Sequence, residues 1–360
     1  MKALRPAASH LADLEPYDPK YLPARIYLNA NENPFGLPES VRQEILSQLE
    51  CGLEYHRYPD PLAKKLRAQL ADELGIDEEC ILLGNGGDEL LFNLMLAYGG
   101  PGRSLLTTPP TFSVYASDAQ ISGTRLVEVG RTADGKIDEA AVLARVAEGD
   151  IDLVMIASPN NPTGECVRTD FLLELLDVSD ALILIDQAYV EFAASEHDMR
   201  HYLSEHRNLA VLRSFSKAYS LAGIRLGYVL ADPEAIQQLL KVRQPYSVDR
   251  FSALVGSASL SAKIEIQEAV TSMIAQRQRV SLALATLPDV QVYPSDANFL
   301  LFRVTGAHAI WQHLYDDYNI LLRDFSTASG LHDCLRVSMG TPQEMDEFLE
   351  ALTALMREDR

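Results

Sequence analysis

Ser214-Phe215-Ser216-Lys217-Ala218-Tyr219-Ser220-Leu221-Ala222-Gly223-Ile224-Arg225-Leu226-Gly227 holds a lysine between small hydroxyl residues and an arginine eight residues on, across a turn containing Gly223. The apolar run from Leu209 to Leu212 just before it predicts a short buried strand. Lys217 then sits just past a strand end, where open α/β sheets place their ligands.

A lysine in a semi-buried pocket can lose its proton and attack a carbonyl. Ser214, Ser216 and Arg225 add two hydroxyls and a permanent cation, a set suited to one phosphate group. A carbonyl reagent that carries its own phosphate is pyridoxal phosphate. A lone Ser-x-Lys is weak evidence, and the surrounding chain is what gives it weight.

Upstream, three strand–loop units follow one another in βαβ rhythm. Ile151–Ala157 ends in Ser158-Pro159-Asn160-Asn161-Pro162-Thr163-Gly164, with a helix expected around Phe171–Leu176. Ala181–Ile185 ends in Asp186-Gln187-Ala188-Tyr189, and a further helical stretch is expected before the strand at 209–212. Such near-continuous apolar runs suit parallel strands buried on both faces, so Asn161, Asp186, Tyr189 and Lys217 should emerge along one carboxyl edge. An Asp directly after a buried strand is costly without a partner, and a pyridinium N–H is such a partner. Asn161 and Tyr189 can donate to a phenolate oxygen on the same ring.

Nearer the start, Cys80–Leu83 reads as a strand running into Gly84-Asn85-Gly86-Gly87-Asp88-Glu89, with Asp88 opening a helix through Tyr98. A helix N-terminus there suits phosphate. Leu105-Leu106-Thr107 leads into Pro109-Pro110-Thr111-Phe112, which presents an aromatic ring at a strand end. Val41–Leu49 and Leu62–Leu74 have helical spacing, and between them runs the rigid segment Tyr55-His56-Arg57-Tyr58-Pro59-Asp60-Pro61. Residues 1–28 read as an N-terminal arm containing a short strand, Ile26–Leu28, and 29–250 as the large domain. After residue 230 comes a long helical region over about 233–287, broken at Pro245. Strands are expected at Ala297–Arg303, Ile320–Arg323 and Leu335–Met339, with a closing helix at Pro342–Met356, so 251–360 reads as a smaller α+β domain. Arg323 and Arg336 lie in apolar strands, where an arginine without a counter-charge is expensive, and both are candidates for holding a substrate anion.

The 360 residues carry 51 acidic against 31 basic side chains, a net charge of −20, which argues against nucleic acid or an anionic membrane as partner. Cys51, Cys80, Cys166 and Cys334 are widely spaced, without CxxC or metal-ligand spacing, as expected of reduced thiols. Residues 1–20 show no apolar core of signal-peptide length, and no run approaches the ~20 apolar residues of a membrane span, so a cytoplasmic protein is expected.

Taken in order, these motifs resemble the fold type I pyridoxal-phosphate aminotransferases, most closely the histidinol-phosphate branch. The resemblance runs from Pro16-Tyr17 to Gly340-Thr341 and includes Leu28-Asn29-Ala30-Asn31-Glu32-Asn33-Pro34-Phe35-Gly36 and Arg57-Tyr58-Pro59-Asp60-Pro61. It implies an α/β fold with a mostly parallel central sheet in the large domain and a smaller C-terminal α+β domain. It makes Lys217 the Schiff-base lysine, pairs Asp186 with the pyridine nitrogen, and sets Asn161 and Tyr189 on the ring oxygen. Phe112 would stack on the ring. The phosphate would fall to the backbone of Gly87 and Asp88, to Ser214, Ser216 and Arg225, and to Tyr58 of a second subunit, which implies a homodimer. Tyr17, Asn161, Arg323 and Arg336 would bind substrate, histidinol phosphate or glutamate. Aromatic-amino-acid aminotransferases and threonine-phosphate decarboxylases of the same fold are the alternatives. Two positions depart from the family pattern: Gly87, where Ser or Ala is common, and Gln187, where Glu is common.

Overall fold

The computed structural model describes residues 4–12, 14–16, 22–132 and 134–358. The chain builds two sheets. From the N-terminal end come β1 (Ile26–Leu28), α1 (Glu39–Glu50), α2 (Lys64–Leu74), β2 (Ile81–Gly84) and α3 (Gly86–Tyr98). Next are β3 (Ser104–Thr107), α4 (Val114–Ser122), β4 (Arg125–Glu128), α5 (Glu139–Val146), β5 (Leu153–Ala157) and α6 (Thr169–Val178). Then follow β6 (Leu182–Asp186), β7 (Leu209–Ser214), β8 (Gly227–Ala231), α7 (Pro233–Val242), α8 (Arg250–Leu260) and α9 (Lys263–Ala285). The last elements are β9 (Val290–Val292), β10 (Phe299–Val304), α10 (Ala307–Asp316), β11 (Ile320–Asp324), β12 (Cys334–Ser338) and α11 (Pro342–Glu358).

The larger sheet runs β2-β8-β7-β6-β5-β3-β4. Its strands are parallel except β8, which is antiparallel to both β7 and β2. Helices cover both faces, so the central strands are buried end to end. Alternate side chains feed two cores. Val154, Ile156, Ile183, Ile185 and Val211 pack under α1, α2 and α6, while Leu153, Met155, Leu182, Leu184 and Leu212 pack under α3 and α4. Truncating any of these leucines or isoleucines, or Met155, to alanine would cost about 2–5 kcal/mol.

The smaller sheet runs β1-β11-β12-β10-β9, with β1 parallel to β11 and the other pairs antiparallel. Thus β1 joins the C-terminal sheet although it precedes the large domain in the chain. The expected boundary at 250/251 does not coincide with the change of core: Val255, Ala258, Leu260 and Ile266 still pack with the larger sheet's helices, and Val270 is the first residue of α9 in the smaller core. Asp249 caps α8 by accepting from the N–H groups of Phe251 and Ser252, at 2.8 and 2.9 Å.

Three strands escaped the sequence reading, β4, β8 and β9, and one expected helix is absent. Between Tyr189 and Leu209 the chain makes three short 3-10 turns instead. Gln187 explains this: its Nε2 donates to the His197 carbonyl at 2.5 Å and its Oε1 accepts from Met199 N–H at 3.1 Å. Asp198 adds a 2.5 Å ion pair with Arg213. These bonds pin a compact loop where an α-helix would need the same backbone groups.

Candidate active site

The carboxyl ends of β3, β5, β6 and β7 lie along one edge of the larger sheet, and each delivers a polar side chain there. Asp186 is the last residue of β6, beside Ala157 of β5 and Leu212 of β7. It is 7% exposed. One carboxylate oxygen accepts from the Tyr115 hydroxyl at 2.7 Å and the other from Ala188 N–H at 3.0 Å. Burial pushes its titration upward despite those bonds. A buried carboxylate with two neutral donors and no bonded cation suits a cationic N–H.

Past β5, the Asn160–Gly164 turn is braced by Asn160, which is fully buried. Its Oδ1 accepts from Thr111 at 2.7 Å, and its Nδ2 donates to Thr163 and to the Pro110 carbonyl. This leaves Asn161 facing the smaller sheet, where its Oδ1 accepts from Arg336 at 2.5 Å. Arg336 also donates to the Asn29 carbonyl at 2.6 Å and lies over the rings of Phe299 and Phe325. Arg323 stands directly opposite Arg336 in the β11–β12 ladder. Directly opposed residues share a sheet face, and two guanidiniums there favour an anion between them.

Lys217 follows β7 and is partly buried. Its Nζ donates to the Ala30 carbonyl at 3.0 Å and lies 5.9 Å from the centre of the Tyr189 ring. Burial, with the Arg336 charge second, lowers its pKa from 10.5 to about 8. The Tyr189 hydroxyl accepts from Asn31 Nδ2 at 3.0 Å, and its ring meets Phe299 edge-on.

At the start of α3 the structure differs from the expected helix opening at Asp88. The helix begins at Gly86, so Asp88 lies within its first turn instead of opening it. Gly86 takes φ +76°, and a Cβ there would run into the Arg225 guanidinium. Gly227 is equally constrained, since its Cβ would meet Gly86 and Gly87 backbone at 3.0 Å. The result is a glycine-walled hollow at a helix N-terminus, with Arg225 across it. Arg225 adopts φ +55°, a conformation rare for a side-chain-bearing residue, and donates to Asp88 Oδ2 at 2.7 Å. Ser214 and Ser216 are buried, with Ser214 Oγ accepting from Ser216 N–H. Free N–H groups, hydroxyls and a guanidinium form a donor set fitted to a phosphate.

Phe112 packs edge-on against Tyr115, with ring centres 5.7 Å apart. Tyr58 is not drawn into this network within the chain: its ring is exposed and stacks on Tyr246 at 4.6 Å. Tyr17 lies outside the described residues. Two features had no role in the sequence reading. One is Tyr115 on Asp186, and the other is the Asn29–Asn33 loop, which touches Lys217, Ala218, Tyr189 and Arg336. The Asn-rich loop was visible as a motif, but a tyrosine inside a helix carries no local signal.

The chain belongs to the aminotransferase class I and II family, whose model matches residues 24–352. The histidinol-phosphate aminotransferase 1 of Carboxydothermus hydrogenoformans is 38% identical over 347 residues, covering 96% of this chain and 97% of its own. The histidinol-phosphate aminotransferase of Roseiflexus castenholzii is 37% identical, with 95% and 96% covered. Among solved structures, the histidinol-phosphate aminotransferase of Sinorhizobium meliloti in complex with pyridoxal-5'-phosphate superposes with a TM-score of 0.90 at 26% identity, covering 99% of both chains.

Proposed function

We propose that this chain is a pyridoxal-phosphate-dependent aminotransferase that interconverts histidinol phosphate plus 2-oxoglutarate with imidazole-acetol phosphate plus glutamate, a step of histidine biosynthesis. The observation that carries the substrate reading is Arg323 standing opposite Arg336 while Arg336 holds Asn161. A phosphate dianion wants two guanidiniums, and the α-carboxylate of glutamate can use the same pair.

Pyridoxal phosphate, when bound, supplies an aldehyde for amines to condense with and a protonated ring that takes up electrons from the substrate's Cα–H bond. In our assignment Asp186 holds the ring nitrogen's proton, and Asn161 and Tyr189 orient the ring oxygen. The backbone N–H groups of Gly87 and Asp88, with Ser214, Ser216 and Arg225, hold the phosphate, and Phe112 covers a ring face. Lys217, neutral at a useful fraction near pH 8, would hold the aldehyde carbon and serve as the base for the proton on substrate Cα. Arg323 and Arg336 fix the substrate's anionic end, which orients the Cα–H bond toward Lys217.

The exposed Tyr58 ring suits donation across a homodimer interface to a partner's phosphate site, and Tyr17 would join the substrate donors. A large domain built on the seven-stranded sheet, a small one on the five-stranded sheet and a cytoplasmic location complete the assignment. Among the described residues no helix is long and apolar enough to cross a membrane.

The test is single-turnover absorbance on protein loaded with pyridoxal phosphate. Histidinol phosphate and glutamate should each bleach the visible band at far lower concentration than phenylalanine. Preference for phenylalanine, or CO2 release from threonine phosphate, would overturn the substrate assignment. Turnover retained in Lys217→Ala would overturn the chemistry.

A further inference from the structure

Tyr115 is fully buried, one turn into the chain after Phe112 and on the helix that follows β3. Its ring abuts Phe112 edge-on at 5.7 Å, and its hydroxyl donates to Asp186 at 2.7 Å, from two strands away in the sheet. One residue therefore touches both groups assigned to the cofactor ring, the aromatic face and the nitrogen's carboxylate. The bond is also the stronger kind, a hydroxyl donating to an ionised acceptor inside a dry core. With Ala188 N–H on its other oxygen, Asp186 cannot rotate, and its remaining lone pairs keep one direction.

We propose that Tyr115 is a positioning residue: it orients Asp186 and keeps it ionised, and so sets cofactor affinity and ring protonation. This rests on the assignment of Asp186 made above. A hydroxyl whose only task were to satisfy the core would leave cofactor properties unchanged when removed.

The experiment uses Tyr115→Phe, which keeps the buried ring, together with Asp186→Asn and the double variant. Pyridoxal phosphate is titrated into cofactor-free protein, and the pH midpoint of the visible band is measured on the loaded protein. Tyr115→Phe should weaken the dissociation constant about tenfold, the worth of one charge-assisted hydrogen bond. It should also move the band's midpoint upward, because a ring that holds its nitrogen proton less firmly draws less charge from the lysine nitrogen. In the Asp186→Asn background the same change should alter affinity less than about twofold, since a residue acting through Asp186 has nothing left to act on.

Wild-type values for both readouts in Tyr115→Phe would overturn the proposal. So would full, multiplying effects in the double variant, or a lowered melting temperature with affinity and midpoint unchanged. If the wild-type protein itself forms no visible band with pyridoxal phosphate, the assignment of the site has failed, not the role of Tyr115 alone.

Discussion

The sharpest consequence of the site's geometry concerns Lys217 before any cofactor binds. Its pKa falls from 10.5 to about 8, with burial as the larger cause and the Arg336 charge as the second. The sign follows directly: both causes disfavour the ammonium, so the neutral amine appears at lower pH than on an exposed lysine. At pH 7.5 a group with a midpoint near 8 is about a quarter neutral, whereas one at 10.5 is neutral about one time in a thousand, a ratio of roughly 200. The assay is a pulse of acylating reagent on cofactor-free protein across pH 6 to 11, with Lys217 labelling followed by peptide mass spectrometry. The exposed Lys65 serves as internal reference. Because access differs between the two lysines, the midpoint of each curve is compared and not its height. Lys217 should titrate near 8, below the ordinary lysine value of 10.5. Arg336→Gln removes the second cause only, so it should recover less than half of that interval. A wild-type midpoint above about 9.5 would refute the reasoning, and full recovery in Arg336→Gln would refute the ranking of burial over charge.

Two further predictions concern groups away from the chemistry. Asp118 on α4 is 8% exposed, and burial with the nearby Asp88 charge raises its pKa from 3.8 to about 7. Its folded pKa is raised, so its protonated form supports the fold below about pH 4 and that support is lost as pH climbs through 7. Asp118→Asn should therefore stabilise the protein by on the order of 2–4 kcal/mol at pH 8 in denaturant unfolding and by progressively less toward pH 5; equal gains at both pH values would count against it. Gln187→Glu removes the donor to the His197 carbonyl while the residue stays fully buried, at a cost of about 1–3 kcal/mol at neutral pH. A protonated Glu could donate again, so the deficit should shrink as pH falls, and a pH-independent deficit would contradict this.

Most of the larger sheet was legible because its strands are long, apolar and buried on both faces, so β5, β6 and β7 announce themselves. β4 was missed because it is an edge strand reading Arg125-Leu126-Val127-Glu128, half-exposed and charged at both ends. β8 was hidden because it starts at Gly227, where the glycine serves the close approach to Gly86 and Gly87 and lies within the lysine–arginine stretch. The helix expected after Tyr189 failed because no feature of residue type shows that Gln187 and Asp198 will reserve the loop's backbone groups. The beginning of α3 was misplaced by two residues because Asp88 looks like a cap, yet the helix has already started on glycines that a cap rule does not count.

The loop from Asn29 to Asn33 was visible as a motif, but its work was not, and the reason is chemical. It leaves β1, whose pairing with β11 ties it to the smaller sheet, and reaches the lysine on the larger one. Two of its contacts use main-chain carbonyls, Ala30 toward Lys217 and Asn29 toward Arg336, across separations of 187 and 307 residues. A carbonyl is present at every position, so no residue type marks these two. Asn31 does carry a mark: it takes φ +56° and is 1% exposed. Its side chain donates to Tyr189 and accepts from Ser338, and its carbonyl accepts from Asn298. An asparagine suits this buried place because it tolerates the left-handed conformation and offers both a donor and an acceptor. The motif is thus the visible part of a junction whose other half is backbone, and only the fold reveals which groups that backbone serves.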